Sequence, residues 1–354
     1  MKATGRRWIP VAAGVLVLAA VLAAAYWATR PRVARIGFLG MSSAMQATRV
    51  EALRQGLAAR GYVEGRNVHI EYRWAEGRFD RLPALAEELV AAGVDVIVTA
   101  APPAVRAAHH ATTTIPIVVV MHDPVGMGMA KSLPAPGGNV TGIAFQDSSL
   151  SSKRLDLLRD VVPGLRRVAV VWNREGGGTE TVAAVQTAAA ALHIETLSLE
   201  IGTRDDFAPA IAEAKRWGAQ AVLQLASPFI TANRDVLMSL LAANRLPASC
   251  ELRIYVVDGC LMTYSANLDD EFRMMAGFVD RILKGGNPAT MAFEQPREFE
   301  FVINGRTAAD LGVVVPESLV YQLSEPPLCK EVGATPCAGV ATSPATTREA
   351  AVRH

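Results

Sequence analysis

Short apolar runs alternate with amphipathic stretches along most of this chain. Residues 94–98 are apolar apart from Asp95 and rich in β-branched side chains, a pattern typical of a strand that is buried on both faces of a parallel sheet. The run stops before Pro102 and Pro103, which cannot continue a ladder because proline has no N–H to donate. Since residues 104–111 are then helix-like, the segment predicts a strand, a tight turn and a helix.

The same alternation recurs in two sets, residues 35–121 and residues 151–250, with a loop rich in glycine and proline over residues 122–139 between them. Strands that alternate with helices indicate parallel βαβ units. The pattern therefore predicts an α/β fold with two Rossmann-like lobes, each a parallel sheet with flanking helices.

Helix starts are predicted from local capping patterns. Ser43 with Gln46 three residues later forms a capping box for the first helix, and Thr231 is predicted to cap a helix that runs to Asn244. Residues 260–264 predict a further strand, and a long amphipathic helix follows it.

Composition excludes several classes of protein. A chain of 354 residues with 51% hydrophobic and 19% charged residues is globular and long enough for two domains. The net charge is +1 and no basic helix is present, so nucleic-acid binding is not expected. No dinucleotide fingerprint, P-loop or G-x-S-x-G motif occurs. His122 beside Asp123 makes only a weak catalytic dyad, so we expect no enzymatic activity and no cofactor.

Metal binding is not expected either. His109 and His110 are neighbours, so on a helix their side chains point about 100° apart and cannot chelate one ion as histidines at i and i+4 do. No C-x-x-C spacing is present, which argues against a structural zinc site.

The first 32 residues predict a segment that directs export. Residues 9–28 carry no charge and follow Lys2, Arg6 and Arg7, and about 20 apolar residues match the thickness of a bilayer. The segment is either a cleaved signal peptide or an uncut membrane anchor. In both cases the remainder is expected to be periplasmic or otherwise extracytoplasmic.

Four cysteines follow in this exported part of the chain. In an oxidising compartment, Cys250 with Cys260 and Cys329 with Cys337 are candidate disulfides. The alternative is that some of the four are buried free thiols.

Small polar turns come directly after several predicted strands. Ser42 and Ser43 follow the first strand, Asn173 follows a strand of the second set, and Ser227 precedes Pro228 after another. Ligands of open parallel sheets bind outside the carboxyl ends of the strands, where helix N-termini favour negative charge. Two lobes that face each other across such turns therefore predict capture of a small ligand that bears a carboxylate.

Longer segments give a more specific indication. Between residues 35 and 322, the chain resembles the family of substrate-binding proteins of ABC uptake transporters that includes tryptophan- and tyrosine-type binders. The segments that carry the resemblance are GYVEGRNV at 61–68, EYRWAEGRFDRLP at 71–83, VDVIVTAAPPA at 94–104, IPIV at 115–118, DPVG at 123–126, LPAPGGNVTG at 133–142 and KG at 284–285.

The resemblance implies a type I periplasmic-binding fold, in which three crossovers join two lobes, with no catalytic activity. It also implies a monomeric receptor that works with ABC permease subunits in the membrane. The predicted segments are 1–32 for the signal peptide or membrane anchor, 33–143 with 262–286 for the N-terminal lobe, 144–261 with 287–322 for the C-terminal lobe, and 323–354 for a disordered tail that is rich in proline, alanine, threonine and serine. The ligand contacts that it implies are Ser42, Ser43, Thr99, Ala101, Pro102, Asp123, Asn173, Ser227 and Tyr264.

Departures from the family pattern concentrate in the second lobe. Residues 174–178 replace a Pro-Asn-Pro-like run, Ser227 stands where an aspartate is usual, Cys250 replaces a tyrosine, and Ser265 replaces a glycine. Ligand identity is therefore not carried over from the resemblance. The N-terminal segment leaves open a second function, that of a membrane-fixed module that senses a ligand and reports to a signalling partner. The segment, with no helix-turn-helix before residue 35, argues against a repressor.

Overall fold

The computed structural model describes residues 33–44, 46–145, 147–174, 178–325 and residue 327. The predicted export segment, Cys329, Cys337 and most of the predicted tail lie outside these ranges. Within them, no helix combines the length and the hydropathy needed to cross a membrane.

The first sheet is wholly parallel, in the strand order β2-β1-β3-β4-β5. Its strands are β1 (Ala34–Gly40), β2 (Val68–Trp74), β3 (Val96–Ala100), β4 (Ile117–His122) and β5 (Val140–Phe145). The predicted strand at residues 94–98 is confirmed, with a start two residues later.

Helices cover both faces of this sheet. They include α1 (Ala47–Ala58), α2 (Leu82–Ala91), which follows a 3-10 turn at Phe79–Arg81, and α3 (Pro102–Ala111). Val96 and Val98 face the core beneath α1, whereas Ile97 faces the core beneath α2 and α3. This alternation explains why the strand reads as a continuous apolar run.

The second sheet has the strand order β11-β10-β9-β8-β6-β7, and β11 alone in this described sheet runs antiparallel to its neighbour. Its strands are β6 (Arg167–Trp172), β7 (Glu195–Glu200), β8 (Ala221–Gln224), β9 (Ala248–Cys250), β10 (Met262–Ala266) and β11 (Phe299–Ile303). The predicted α/β fold with two lobes of mainly parallel sheet is confirmed.

The helices of the second half are α4 (Asp147–Val161), α5 (Gly178–Ala191), α6 (Phe207–Trp217), α7 (Pro228–Ala232), α8 (Arg234–Ala243), α9 (Arg253–Val257), α10 (Leu268–Leu283), α11 (Gly305–Leu311) and α12 (Glu317–Val320). All except α10 accompany the second sheet, with α4 and α5 on one face and α6 and α8 on the other. Helix α10 packs on α1 and on the first sheet.

The chain therefore crosses between the sheets after β5, after β10, and again before β11. The expected lobe boundary at residue 262 differs from the structure, because β10 pairs with β9 and β11 and the crossing comes at Asn267. The chain also passes back to the second lobe later than the expected boundary at residue 287, since the Glu294 N–H still donates to the Gly142 carbonyl of the first sheet at 2.9 Å.

Two capping predictions are wrong. Helix α1 begins at Ala47 without a side-chain cap, and the Gln46 side chain turns back so that its Oε1 accepts the Met41 N–H at 2.8 Å. The predicted single helix to Asn244 is two helices, and the first is capped by Ser227 rather than by Thr231. In both places a different local hydrogen bond forms from the one that the sequence pattern indicates: Gln46 Oε1 accepts the Met41 N–H, and Ser227 Oγ accepts the Ile230 N–H.

One of the two candidate disulfides is present. Cys250, at the end of β9, forms a disulfide with Cys260, two residues before β10 begins. The two cysteines are 10 positions apart in the sequence, so the bond closes a short loop. The loop contains α9 and begins with Glu251 and Leu252. The disulfide therefore ties together the two strands from which this loop leaves and to which it returns.

Candidate functional site

A cleft lies between the carboxyl ends of the two sheets. The first lobe lines it with the loops after β1, β2 and β3, the ends of β4 and β5, and the start of α10. The second lobe contributes α4, the turn after β8, the residues after β9 and the end of β10. The space between the walls, including the part that is open to solvent, is about 1160 Å³.

Most of the cleft wall is apolar. Helix α10 contributes Phe272, which is fully buried and packs against Phe38 at a ring-centroid distance of 6.1 Å. The other large apolar side chains at the wall are Met41, Phe79, Val120, Met121, Phe145, Leu150, Leu252 and Leu268. Such a wall favours a ligand with an apolar body, held in orientation by a few polar groups.

The first polar group comes from α1. Arg49 lies one helical turn from the apolar position Leu53 and reaches the cleft wall. Among the described residues, its guanidinium makes no hydrogen bond and no ion pair. Burial lowers the pKa of Arg49, while the charges of Asp269, Glu251 and Glu271 act in the opposite direction and raise it. The cleft thus holds a cation for which the described part of the chain provides no ion-pair partner.

The turn after β3 brings backbone to the wall. Ala101 has φ of 71°, and Pro102 occupies the first turn of α3. The left-handed conformation is unusual for alanine and stores strain, and it directs the chain sharply from the strand into the helix. Ala101 and Pro102 both line the cleft beside Ser42.

The second lobe supplies an acidic group. Glu251 lines the cleft directly after β9, and its Oε2 accepts the backbone N–H of Ser227 at 3.2 Å. Ser227 also lines the cleft, and its Oγ accepts the Ile230 N–H at 3.2 Å as the cap of α7. The hydroxyl of Thr231, another lining residue, lies 2.9 Å from the buried Tyr255 hydroxyl.

A second arginine supports the same wall from α4. Arg154 is only 1% exposed, and its Nη2 donates to Ser151 Oγ at 2.6 Å. Its Nη1 donates longer bonds to the carbonyls of Glu251 at 3.5 Å and Tyr264 at 3.4 Å. Since these carbonyls follow β9 and belong to β10, Arg154 holds two neighbouring strands of the wall at their carboxyl ends.

Behind the cleft lies an unusual carboxyl group. Glu271 on α10 is 1% exposed, and neither carboxylate oxygen accepts a hydrogen bond from a described residue. Burial raises the pKa of Glu271 from 4.5 to about 8, with Arg49 lowering it and Asp270 raising it. Glu271 is therefore mainly protonated at pH 7.

The structure brings four of the nine predicted contact residues together at this wall, namely Ser42, Ala101, Pro102 and Ser227. Ser43 does not line the cleft: it is exposed, and its N–H lies 3.4 Å from the Glu76 carboxylate. Thr99 is fully buried within β3, and its hydroxyl donates to the Leu39 carbonyl at 2.8 Å.

Three further predicted residues also lie away from the wall. Asp123 lines a neighbouring cavity, and its Oδ1 accepts the Gly126 N–H at 2.9 Å. Asn173 is buried and donates to the Ile201 carbonyl at 2.7 Å. The Tyr264 ring stacks on Phe299 of the adjacent strand at 5.9 Å, and the residues of β10 that line the cleft are Ser265 and Ala266 at its carboxyl end.

Sequence reasoning missed the charged lining residues Arg49, Arg154 and Glu251. A signal for Arg154 exists, since it occupies the apolar stripe of α4 that also contains Leu150 and Leu158 at i−4 and i+4. Glu251 has a simpler signal, because it directly follows a buried strand.

Comparison with known proteins agrees with this architecture. The two-lobe α/β fold with an interlobe cleft occurs in solute-binding proteins of ABC transporters and also in LacI-type transcription regulators. The sequence profile of the ABC transporter substrate binding protein family matches residues 39–325. The chain belongs to this family.

Individual relatives share parts of the chain or its fold. The "Tyrosine-binding protein" of Clostridioides difficile (strain R20291) is 30% identical over 140 residues, which span 38% of this chain and 40% of that protein. An ABC domain from Streptococcus pneumoniae in complex with L-Trp has a TM-score of 0.76 at 22% identity, covering 82% of this chain and 98% of that one. A conserved domain protein from Vibrio cholerae has a TM-score of 0.77 at 25% identity, covering 83% and 99%.

Proposed function

We propose that this protein is the extracytoplasmic solute-binding protein of an ABC uptake transporter, and that its ligand is a small, amino-acid-like molecule with a carboxylate and an apolar side chain. The observation that carries the proposal is the cleft itself: walls from both lobes are mainly apolar, and Arg49, half-buried at one of them, makes no hydrogen bond or ion pair with a described residue.

Two kinds of similarity support the ligand class. The family to which the chain belongs binds substrates for ABC transporters, and the C. difficile relative is named for binding tyrosine. The aromatic side chains Phe79, Phe145 and Phe272 offer surfaces on which an aromatic or branched ligand side chain packs. Closure of the two lobes about the three crossovers would then exclude water from the bound ligand.

The test is thermal unfolding of the purified full-length chain against a panel of amino acids, aromatic acids and nucleosides. A ligand present at about 100 times its Kd adds about 2.7 kcal/mol to the free energy of unfolding. We expect apolar amino acids to raise Tm and nucleosides to leave it unchanged. A panel in which nucleosides alone raise Tm would contradict the proposed ligand class.

A transporter partnership is tested separately. If the protein delivers solute to a permease, deletion of its gene should abolish uptake of the identified ligand by cells, and the intact gene should restore it. Normal uptake in the deletion strain, with ligand-dependent changes in transcription instead, would support the sensory alternative.

A further inference from the structure

The start of helix α1 brings two polar side chains to the first-lobe wall of the cleft. Gln46 directly precedes the helix, and Arg49 lies three residues later, in its first turn. Residues with this spacing are neighbours on one side of a helix, and both of these line the cleft. Neither belongs to the nine contact residues predicted from the sequence.

Gln46 presents an amide group of fixed orientation. The residue is only 3% exposed, and its Oε1 accepts the Met41 N–H at 2.8 Å. Because a backbone N–H cannot donate to an amide NH2 group, this bond determines which end of the amide is the acceptor. The other end, Nε2, makes no hydrogen bond with a described residue, and it keeps some accessible surface. A buried glutamine therefore offers two N–H donors to the cleft that it lines.

Packing against β1 holds this amide in place. A Cβ added to Gly40, the last residue of β1, would lie 2.7 Å from Gln46 Oε1 and would overlap the Trp74 ring. Only a residue without a side chain leaves room for both groups at this position. The Gln46 side chain is thus fixed by its acceptor end and by its neighbours, and its donors are not used.

Arg49 adds a half-buried guanidinium without an ion-pair partner among the described residues. Three carboxyl groups act on it electrostatically, namely Asp269, Glu251 and Glu271. Asp269 accepts the Thr48 hydroxyl at 3.2 Å instead, and Glu251 has partners of its own in the second lobe. Glu271 is mainly protonated at pH 7. A partly desolvated charge without a partner is unfavourable, so this guanidinium favours an anion from outside the protein.

The helix end favours an anion at the same place. Helix α1 has 12 residues, no side chain caps it, and its first turn contains no acidic residue. The first N–H groups of a helix lack partners within the helix and give its N-terminus a partial positive charge. The helix end, the Gln46 amide and the Arg49 guanidinium therefore all favour an anion at one part of the wall.

We propose that Gln46 and Arg49 together bind the carboxylate of the ligand at the N-terminus of α1. This assignment rests on the proposed function and deepens it, because it names the residues that hold the acidic group. A guanidinium binds a carboxylate through two parallel hydrogen bonds, and the Gln46 Nε2 supplies a further donor. Both residues belong to the first lobe, so the carboxylate site is complete before the second lobe closes on the ligand.

The experiment measures Kd by calorimetry for two pairs of ligands that differ only in the carboxylate: L-phenylalanine with L-phenylalaninamide, and L-isoleucine with L-isoleucinamide. The full-length wild type should bind each acid about tenfold to a hundredfold more tightly than its amide. Gln46→Glu keeps the size of the side chain and the acceptor for the Met41 N–H, but it replaces the donor end with a carboxylate oxygen. This variant should lose the preference for the acids, and Arg49→Gln should lose it as well.

Controls come from exposed residues that do not line the cleft, Gln55 on α1 and Arg216 on α6. Q55E and R216Q change the net charge by the same amounts as Q46E and R49Q, and they should keep the preference for the acids. R49K keeps the charge but loses the planar fork, so it should restore part of the preference that R49Q loses. R49Q removes no hydrogen bond between described residues, so it tests the assignment even if Q46E is unstable.

Each contrary result identifies what has failed. A preference for the acids that survives in R49Q or in folded Q46E overturns the assignment alone, and the proposed function stands. The same holds if the wild type binds each acid and its amide equally, or if Q55E and R216Q lose the preference to the same extent. If the wild type binds neither acid, the assignment fails. If it also binds no member of the wider amino-acid panel, the proposed ligand class fails with it.

Discussion

The backbone N–H of Ser227 donates a 3.2 Å hydrogen bond to the carboxylate of Glu251. This bond joins the turn after β8 to the residues after β9, which are two adjacent parts of the second-lobe wall. Because Ser227 also caps α7, one residue both begins a helix and positions an acidic group of the cleft.

Removing the cap should destabilise the second lobe. Ser227→Ala deletes the Oγ that accepts the Ile230 N–H at 3.2 Å, and loss of a cap of this kind costs about 0.5–2 kcal/mol. The free energy of unfolding from urea titration is the measurement. Ser227→Asn keeps an acceptor at the cap and should lose much less stability. Equal loss in both variants would contradict the capping role.

Breaking the Cys250–Cys260 disulfide should destabilise the protein and loosen the cleft wall. The bond closes a short loop of separation 10 that starts with two lining residues, and disulfides typically contribute about 2–4 kcal/mol. The double variant Cys250→Ser/Cys260→Ser should show this loss in urea titration.

Urea titration of the wild type and the double variant with and without reductant provides the control. Dithiothreitol should lower the stability of the wild type toward that of the double variant and leave the double variant unchanged. If reduction leaves wild-type stability unchanged while the reduced wild type titrates two thiols more than the reduced double variant, the bridge contributes nothing.

A backbone contact makes Gly142 difficult to replace. Gly142 has φ of 145°, and an added Cβ would lie 2.1 Å from the Val119 carbonyl oxygen of the adjacent strand. Gly142→Ala should therefore cost about 2–4 kcal/mol through overpacking and strain. Gly138→Ala is the matched control, since no described atom lies within 4 Å of its added Cβ. Comparable Tm values for the two variants would contradict this explanation.

Glu271 should make stability depend on pH. Burial raises its pKa in the folded protein from 4.5 to about 8, with Arg49 on α1 lowering it and Asp270 on its own helix raising it. Below pH 4.5 both states bind the proton. As pH rises toward 8 the unfolded chain releases it and the folded chain keeps it, so stability falls across this window.

Glu271→Gln removes the titrating group and keeps a neutral polar side chain. The difference in Tm between the variant and the wild type should shift in favour of the variant between pH 5 and pH 8. The measurement is differential scanning calorimetry at both pH values. A Tm difference that stays constant across this range would show that Glu271 ionises equally in the folded and unfolded chains.

The fold was predictable where local pattern and tertiary structure agree. Strands such as β3 are buried on both faces, so their apolar runs are visible in the sequence. The lobe to which β10 belongs was not predictable in this way, because a buried strand has the same pattern in either sheet. Its partners β9 and β11 decide the matter, and β11 lies more than 30 residues away along the chain.

The site was predictable where it consists of strand-to-helix turns. Ser42, Ala101 and Ser227 reach the cleft because carboxyl ends of parallel strands meet at one edge. Arg49 and Arg154 reach it from the sides of helices, and such charges are ordinarily read as solvent-exposed. Thr99 was predicted as a ligand contact because it lies near the carboxyl end of β3, but its hydroxyl donates to the Leu39 carbonyl of the neighbouring strand and does not reach the cleft.

Helix α10 packs on the first lobe although it follows strands β6 to β10 of the second lobe in the sequence, and this order affects synthesis of the protein. Phe272, Met275 and Val279 complete the core over the first sheet, yet they follow the last strand of that sheet by more than 120 residues. A nascent chain that has emerged only as far as β5 exposes the apolar face that α10 later covers. The first lobe therefore cannot be completed until most of the second has been synthesised, and no single cut in the chain releases it intact.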